Sequence, residues 1–137
     1  MKIAICTSMQ FTEQMLAAQK QLEAQGHTVF VSGFSQEYVG KNDEQIEALK
    51  LKHKFEFDAI REFWLKIKMS DAILVLNYDK KGIKNYIGGN TLMEIGFAHI
   101  LNKKIFLLNP IPDIDFYKSE IEATKPIILN GNLSNLK

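Results

Sequence analysis

Asp71-Ala72-Ile73-Leu74-Val75-Leu76-Asn77 is the most strand-like stretch of the chain, and its pattern decides the fold. Every residue between Asp71 and Asn77 is apolar, so the alternation of a strand with one wet face is missing. An unbroken apolar run of this length suits a parallel strand covered on both faces by helices.

Working outward from it, the chain alternates between strand and helix signals. Upstream, Lys2–Cys6 (KIAIC) reads as a buried strand and Thr7–Gln10 as a strand-to-helix loop. A helix is predicted from Thr12 to Gln25, with Met15, Leu16, Ala18 and Leu22 on its apolar face and Gly26 as its stop. His27–Ser32 (HTVFVS) reads as the next strand, completing a right-handed βαβ unit. Gly33–Gly40 reads as irregular. Asn42–Met69 is helix-forming, either as one long helix or as two with a break near His53. Downstream, Tyr78–Gly89 is a long polar loop, and an apolar helix begins at about Asn90. Lys104–Leu108 is a fourth strand, Phe116–Ala123 a short helix, Pro126–Leu129 a fifth strand, and the polar tail from Asn130 is expected to fray.

The sum is an α/β chain: a flavodoxin-like three-layer sandwich with a five-stranded parallel sheet, order 2-1-3-4-5. In such sheets ligands sit beyond the carboxyl ends of the strands, where the strand order reverses. Here that places a site around Thr7–Gln10 and Asn77–Thr91.

Composition narrows the function. At 137 residues the chain suits one domain, residues 1–137, with a sizeable core. The formal charge of +1 gives no basic surface for a nucleic acid polymer or a membrane. One cysteine, Cys6, permits neither an internal disulfide nor a cysteine zinc cluster, and Cys6 reads as a small buried hydrophobe. No apolar segment is long enough to span a bilayer, and the start of the chain lacks a secretory apolar region. The expected location is the cytoplasm.

One carboxylate stands out. Glu94 lies in an otherwise apolar helix, about one turn beyond Asn90. A helix hydrophobic on nearly every side is expected to be buried. Burying a charge is costly unless it is paired or hydrogen-bonded. Glu94 is therefore either a functional acid or a helix-start residue favoured by the macrodipole.

Other residues have ordinary readings. Gly88 and Gly89 suit the turn before the helix, Asn90 an N-cap and Thr91 a helix start, although all four border the expected crevice. Ser8 fits either an ST-turn or a phosphate contact. Lys80, Lys81 and Lys84 read as a solvated loop surface. His27, His53 and His99 lack metal-ligand spacing and read as structural. Asp71 reads as structural, and Trp64 as core or subunit contact.

Ser70–Asn77, then Gly89-Asn90-Thr91-x-x-Glu94-Ile95-Gly96-x-Ala98, then Lys103-Lys104-Ile105, resemble the nucleoside 2-deoxyribosyltransferase superfamily, which includes the 2′-deoxynucleoside 5′-phosphate N-hydrolases. The resemblance runs from about Lys2 to Leu108. It implies a dimer or higher homo-oligomer acting on a small-molecule nucleoside or nucleotide, with no metal and no organic cofactor. A glutamate would attack the anomeric carbon, and a base or water would then take the sugar. By the motif that glutamate is Glu94. Thr7, Ser8, Asn77, Asp79, Gly88, Gly89, Asn90 and Thr91 would then contact substrate.

The sequence departs from the family at three places. Ala4 stands where a tyrosine often orients the glutamate, Gln10 where the hydrolases carry arginine, and Gly88 where the transferases carry an acid. A further family acid aligns near Phe63, next to Glu62 and one turn from Asp58. Asp58 and Glu62, with Asp79 or a tyrosine as alternatives, are the candidate partners of Glu94, and the late segment Asn109–Ser119 is a candidate donor to a partner's site. Three classes of function follow: an N-glycosidase or deoxyribosyltransferase, a non-catalytic nucleotide-binding module on the same scaffold, or a structural oligomer without a ligand.

Overall fold

The computed structural model describes all residues, 1–137. Five strands, β1 (Lys2–Cys6), β2 (Thr28–Phe30), β3 (Ala72–Val75), β4 (Lys104–Leu107) and β5 (Ile127–Ile128), form one sheet. All neighbours are parallel, and the order is β2-β1-β3-β4-β5, as the sequence predicts.

The two-residue period of the strands divides the core in two. Ile3, Ile5, Leu74 and Phe106 face α1 (Thr12–Ala24), where Met15, Ala18 and Leu22 meet them. Ala4, Cys6, Ile73, Val75 and Leu107 face the other way. There they pack on Phe63 and Ile67 of α4 (Ala59–Met69), Ile95 and Ala98 of α5 (Gly89–Ile100), and Ile121 of α6 (Lys118–Ala123). The chain leaves β1 for one face and leaves its neighbour β3 for the other. That divergence opens a crevice at the carboxyl ends of the two central strands.

Several local expectations change. The segment Gly33–Gly40 contains a short helix, α2 (Ser35–Tyr38). The long helical region is two helices, α3 (Asp43–Glu56) and α4, but the break falls at Phe57–Asp58 rather than near His53. Asn42 and Gln45 form a reciprocal capping box that fixes the start of α3. Asp58 takes a left-handed conformation (φ 47°) and caps α4 by accepting a hydrogen bond from the Arg61 N–H. Asn90 is not the cap of α5; that position is Gly88, which has no capping side chain. Nor is α5 buried all round. Thr91, Glu94, Ile95 and Ala98 are buried, whereas Met93 and Ile100 are exposed. Leu65 and Met69 are exposed on the adjacent α4. No helix is long and apolar enough to cross a membrane.

The tail does not fray. Leu133 and Leu136 join the core on the α1 face, and Asn135 donates a side-chain hydrogen bond to the Leu129 carbonyl. Truncating Leu136 to Ala removes buried methyl groups and leaves a cavity, so we expect a loss of about 2–4 kcal/mol of stability. Urea unfolding checks this; a loss within a few tenths of a kcal/mol would mean that the tail is only draped over the core.

Candidate functional site

A cleft of about 290 Å³ lies at the divergence of β1 and β3, bordered by the loop after β1, the start of α5, and residues of α2 and α3. Its chemistry centres on Glu94. The side chain sits one turn inside α5, on the face turned to the sheet, and the residue is only 7% exposed. Cys6, the last residue of β1, points to the same face and lies beside it. Burial pushes the Glu94 carboxyl up to about 8. The Cys6 thiol pulls it down by hydrogen bonding, the Glu62 charge adds to the rise, and the Lys54 charge opposes it. Burial also pushes the Cys6 thiol well above its ordinary value, and Glu94 adds to that. A first-turn dipole stabiliser would have its carboxyl lowered by the helix end. Glu94 lies beyond the first turn, where that effect has fallen off.

The start of α5 contributes backbone donors. Helix N-termini leave their first N–H groups without intrahelical partners. With Gly88 as cap no side chain occupies them, and Gly88, Gly89, Asn90 and Thr91 all line the cleft. A Cβ at Gly88 would come within 3.2 Å of the Tyr86 ring and hydroxyl, so the absence of a side chain lets the loop close against that ring. The combination of free N–H groups and a positive dipole end favours a negative or oxygen-rich ligand group.

Ser8 lies in the cleft within a polar cluster. Its hydroxyl donates to Gln10 Oε1. Lys80 Nζ donates to Ser8 Oγ (2.7 Å) and to Gln10 Oε1 (2.8 Å). Lys50 Nζ reaches the same Gln10 oxygen at 3.2 Å and Glu47 at 3.1 Å. Burial, with Lys50 and Lys81 nearby, lowers the Lys80 ammonium to about 8. Lys80 also lies over the Tyr86 ring, 5.4 Å from its centroid. It is thus not part of a solvated loop surface, as its sequence context suggests. Its amine is drawn inward by Ser8 and Gln10.

The other predicted site residues divide. Thr7 borders the cleft, but its hydroxyl donates to the Leu76 carbonyl and ties β1 to the end of β3. Asn77 is fully buried outside the cleft. Its side chain donates to the Asn109 and Pro110 carbonyls and accepts from the Asn109 N–H, stapling the ends of β3 and β4. Asp79 accepts from the Asn85 N–H and borders a separate shallow hollow. Asp58 is exposed, caps α4 and pairs with Arg61 outside the cleft. Glu62 is held by Lys66 (2.8 Å) and the Gly33 N–H (3.3 Å), near enough for its charge to bear on Glu94. Its Oε2 is buried without a hydrogen-bond partner.

Residues of α2 and α3 complete the cleft where the sequence offered no motif. Phe34, Tyr38, Lys50, His53 and Lys54 all line it. The spacing of Lys50, His53 and Lys54 at i, i+3 and i+4 puts them on one helical face, the only sequence signal for this wall.

No protein-family model matches the chain, and no curated protein matches it in sequence. Two solved structures resemble it. One is a 2-deoxyribosyltransferase from Bacillus psychrosaccharolyticus, 20% identical over 93% of this chain and 98% of that one, with a TM-score of 0.48. The other is the CMP N-glycosidase BcmB from Clostridium botulinum, 17% identical over 95% of this chain and 90% of that one, with a TM-score of 0.50. At that identity the second likeness shows a shared flavodoxin-like fold.

The raised Glu94 carboxyl has a consequence for stability. The folded state holds this proton more tightly than the unfolded chain does. Its contribution is therefore complete below the ordinary carboxyl value of 4.5 and is lost as pH rises to about 8. At pH 7 the cost is roughly 3 kcal/mol by linkage. A Glu94→Gln variant avoids it, so its advantage over wild type should grow between about pH 5 and pH 8. Denaturant titrations across that range check this; a gap that stays constant with pH would contradict the burial of the acid.

Proposed function

We propose that this protein breaks, or transfers across, the N-glycosidic bond of a nucleoside or nucleoside 5′-monophosphate, with Glu94 as the nucleophile. The observation that carries the reading is an unpaired, buried carboxyl at the wall of a cleft beside uncapped helix N–H groups. Burial disfavours an isolated charge, so such an acid is retained at a cost to folding. A carboxylate attacking C1′ forms a glycosyl ester, which water or a second base then resolves, as in retaining glycosidases. The shared fold of the CMP N-glycosidase supports the substrate class.

Lys80 and Lys50, converging on Ser8 and Gln10, favour a substrate carrying a 5′-phosphate. They would release Gln10 to neutralise the phosphate while Ser8 donates to it. Of the two candidate partner carboxylates, Glu62 rather than Asp58 bears on Glu94, as a neighbouring charge held by Lys66. Thr7, Asn77 and Asp79 enter as supports of the cleft's loops. The exposed Leu65, Met69, Met93 and Ile100 on adjoining helices favour a homodimer or higher homo-oligomer. Within Asn109–Ser119, the exposed Phe116 is the side chain placed to reach a partner's site. A second reading, a non-catalytic nucleotide-binding module, is favoured by Gln10, which ties up both lysines and Ser8 within the first loop.

Incubation with the common deoxynucleosides and their monophosphates should release free base, and Glu94→Ala should abolish it. No release by wild type, or equal release by the variant, would exclude this mechanism. Nucleotide that raises the melting temperature without being consumed would favour the binding module. On a substrate whose base leaves without needing a proton, the ionisation of Glu94 alone governs attack, so kcat/KM should climb about tenfold per pH unit below 8 and level off above it. A rate that falls through pH 8 would instead make Glu94 a proton donor. Lys80→Met should raise KM for a monophosphate about tenfold more than for the matching nucleoside; an equal rise for both would remove the phosphate from this corner.

A further inference from the structure

One wall of the cleft carries a chain of hydrogen-bonded groups that plays no part in holding Glu94. Glu37 Oε2 lies 3.2 Å from His53 Nε2, and His53 Nδ1 lies 2.7 Å from the Tyr38 hydroxyl. Phe34 stacks on the imidazole, with ring centroids 4.2 Å apart and planes 16° from parallel. His53 is buried and Tyr38 is 4% exposed, and both line the cleft. The Glu37 side chain is 52% exposed. Lys54, next to His53 on α3, is near enough for its charge to bear on Glu94.

A buried histidine has to satisfy both ring nitrogens, and a clasp between α2 and α3 would use the same two bonds. Two features go beyond a clasp. The chain starts at a carboxylate in contact with solvent and ends at Tyr38, a residue of the cleft wall. The other carboxylates are poor donors: Asp58, Glu62 and Asp79 lie outside the cleft, and Glu47, on its wall, is held ionised by hydrogen bonds from Gln10 and Lys50 that lower its carboxyl. A departing base needs a proton.

We propose that Tyr38 donates the proton to the departing base, with His53 and Glu37 as the positioning pair that replenishes it; this rests on the glycosidic reading above. In the first half-reaction a Glu94 oxygen bonds to C1′ as the C1′–N bond breaks, and its electron pair goes to the base. The base takes the Tyr38 hydroxyl proton. Tyr38 takes the Nδ1 proton of His53 imidazolium, leaving neutral His53 with its Nε2–H on Glu37. In the second half-reaction water attacks C1′, the C1′–Glu94 bond breaks, and the carboxylate leaves. The water's surplus proton passes through Tyr38 back to His53 Nδ1, and the starting state is restored. One group thus serves as acid and then base, as microscopic reversibility requires in a retaining site. Burial, aided by the Glu37 and Glu47 charges, pushes the Tyr38 hydroxyl up to about 12, so it is protonated at neutral pH. The imidazolium is what lets so weak an acid give up its proton.

The test compares a poor and a good leaving group on the same sugar phosphate. Wild type, Tyr38→Phe, His53→Gln and Glu37→Gln are assayed on 2′-deoxyguanosine 5′-monophosphate and its N7-methyl derivative. They are also assayed on 2′-deoxyuridine 5′-monophosphate and its 5-nitro derivative. The N7-methylated and nitrated bases leave without needing a proton. For the pair that wild type cleaves, Tyr38→Phe should lose at least about 100-fold more rate on the ordinary base than on the activated one. His53→Gln should fall in the same direction, and Glu37→Gln less far. Equal losses on both members of the pair would make the chain a structural clasp, and no loss would make it a bystander; either overturns the proposal. Should Tyr38→Phe fail to fold, the same ratio in His53→Gln and Glu37→Gln decides. Wild type that cleaves neither pair, or Glu94→Ala that keeps its rate on the activated base, overturns the glycosidic reading itself and the proton donor with it.

Discussion

The structure depends on a carboxyl placed where water cannot easily follow. Glu94 occupies a position on α5 that faces the sheet, in register with Ile95 and Ala98, which pack into the core. Leu or Ala would pack there without penalty. The side chain instead meets Cys6 at the end of the central strand, with the helix N-terminus one turn away. The local order of the chain makes this placement possible. β1 and β3 must end together, their loops must part to opposite faces, and α5 must begin without a capping side chain so that its N–H groups stay free.

The parts that hold this arrangement are separate from the parts that would act on a ligand. Asn77 and Asn109 lock the ends of β3 and β4 with reciprocal side-chain and backbone bonds. Thr7 performs the same task between β1 and β3. Both tie down backbone that would otherwise be loop, and a site held within a fraction of an ångström needs such supports. The charged groups facing the cleft are less settled. Lys80 is partly desolvated beside Lys50, and Glu62 has a buried oxygen without a partner. Polar groups left in this condition are what an incoming sugar phosphate could satisfy.

Much of the fold was legible in the sequence because the strands are continuous apolar runs. Ala72–Val75 and Lys2–Cys6 carry that signal directly, and the alternation of strand and helix leads to the parallel sheet. Glu94 was legible as a lone acid in an apolar helix, and Ser8 and Gly88–Thr91 through their position beyond the strands. Elsewhere the sequence is less legible, because polarity does not reveal direction. Asp58 and Glu62 are one helical turn apart, yet one caps a helix in solvent and the other leans towards Glu94. The polar groups of Asn77 are spent on stapling the ends of two strands. Tyr38 and His53 carry no sequence signature, since they meet only when a four-residue helix folds against α3. The exposed apolar side of α5 was hidden by composition, because periodicity cannot separate a buried helix from one with an unpaired apolar face.

The most direct measurement is to catch the sugar on the protein. Wild type mixed with a cleaved deoxynucleoside monophosphate and quenched in acid within the first turnovers should gain the mass of one deoxyribosyl phosphate. Peptide mapping should place it on Glu94. Free base accumulating in stoichiometric excess while Glu94 remains unmodified at every quench time, with the adduct absent or on another side chain, would contradict the account.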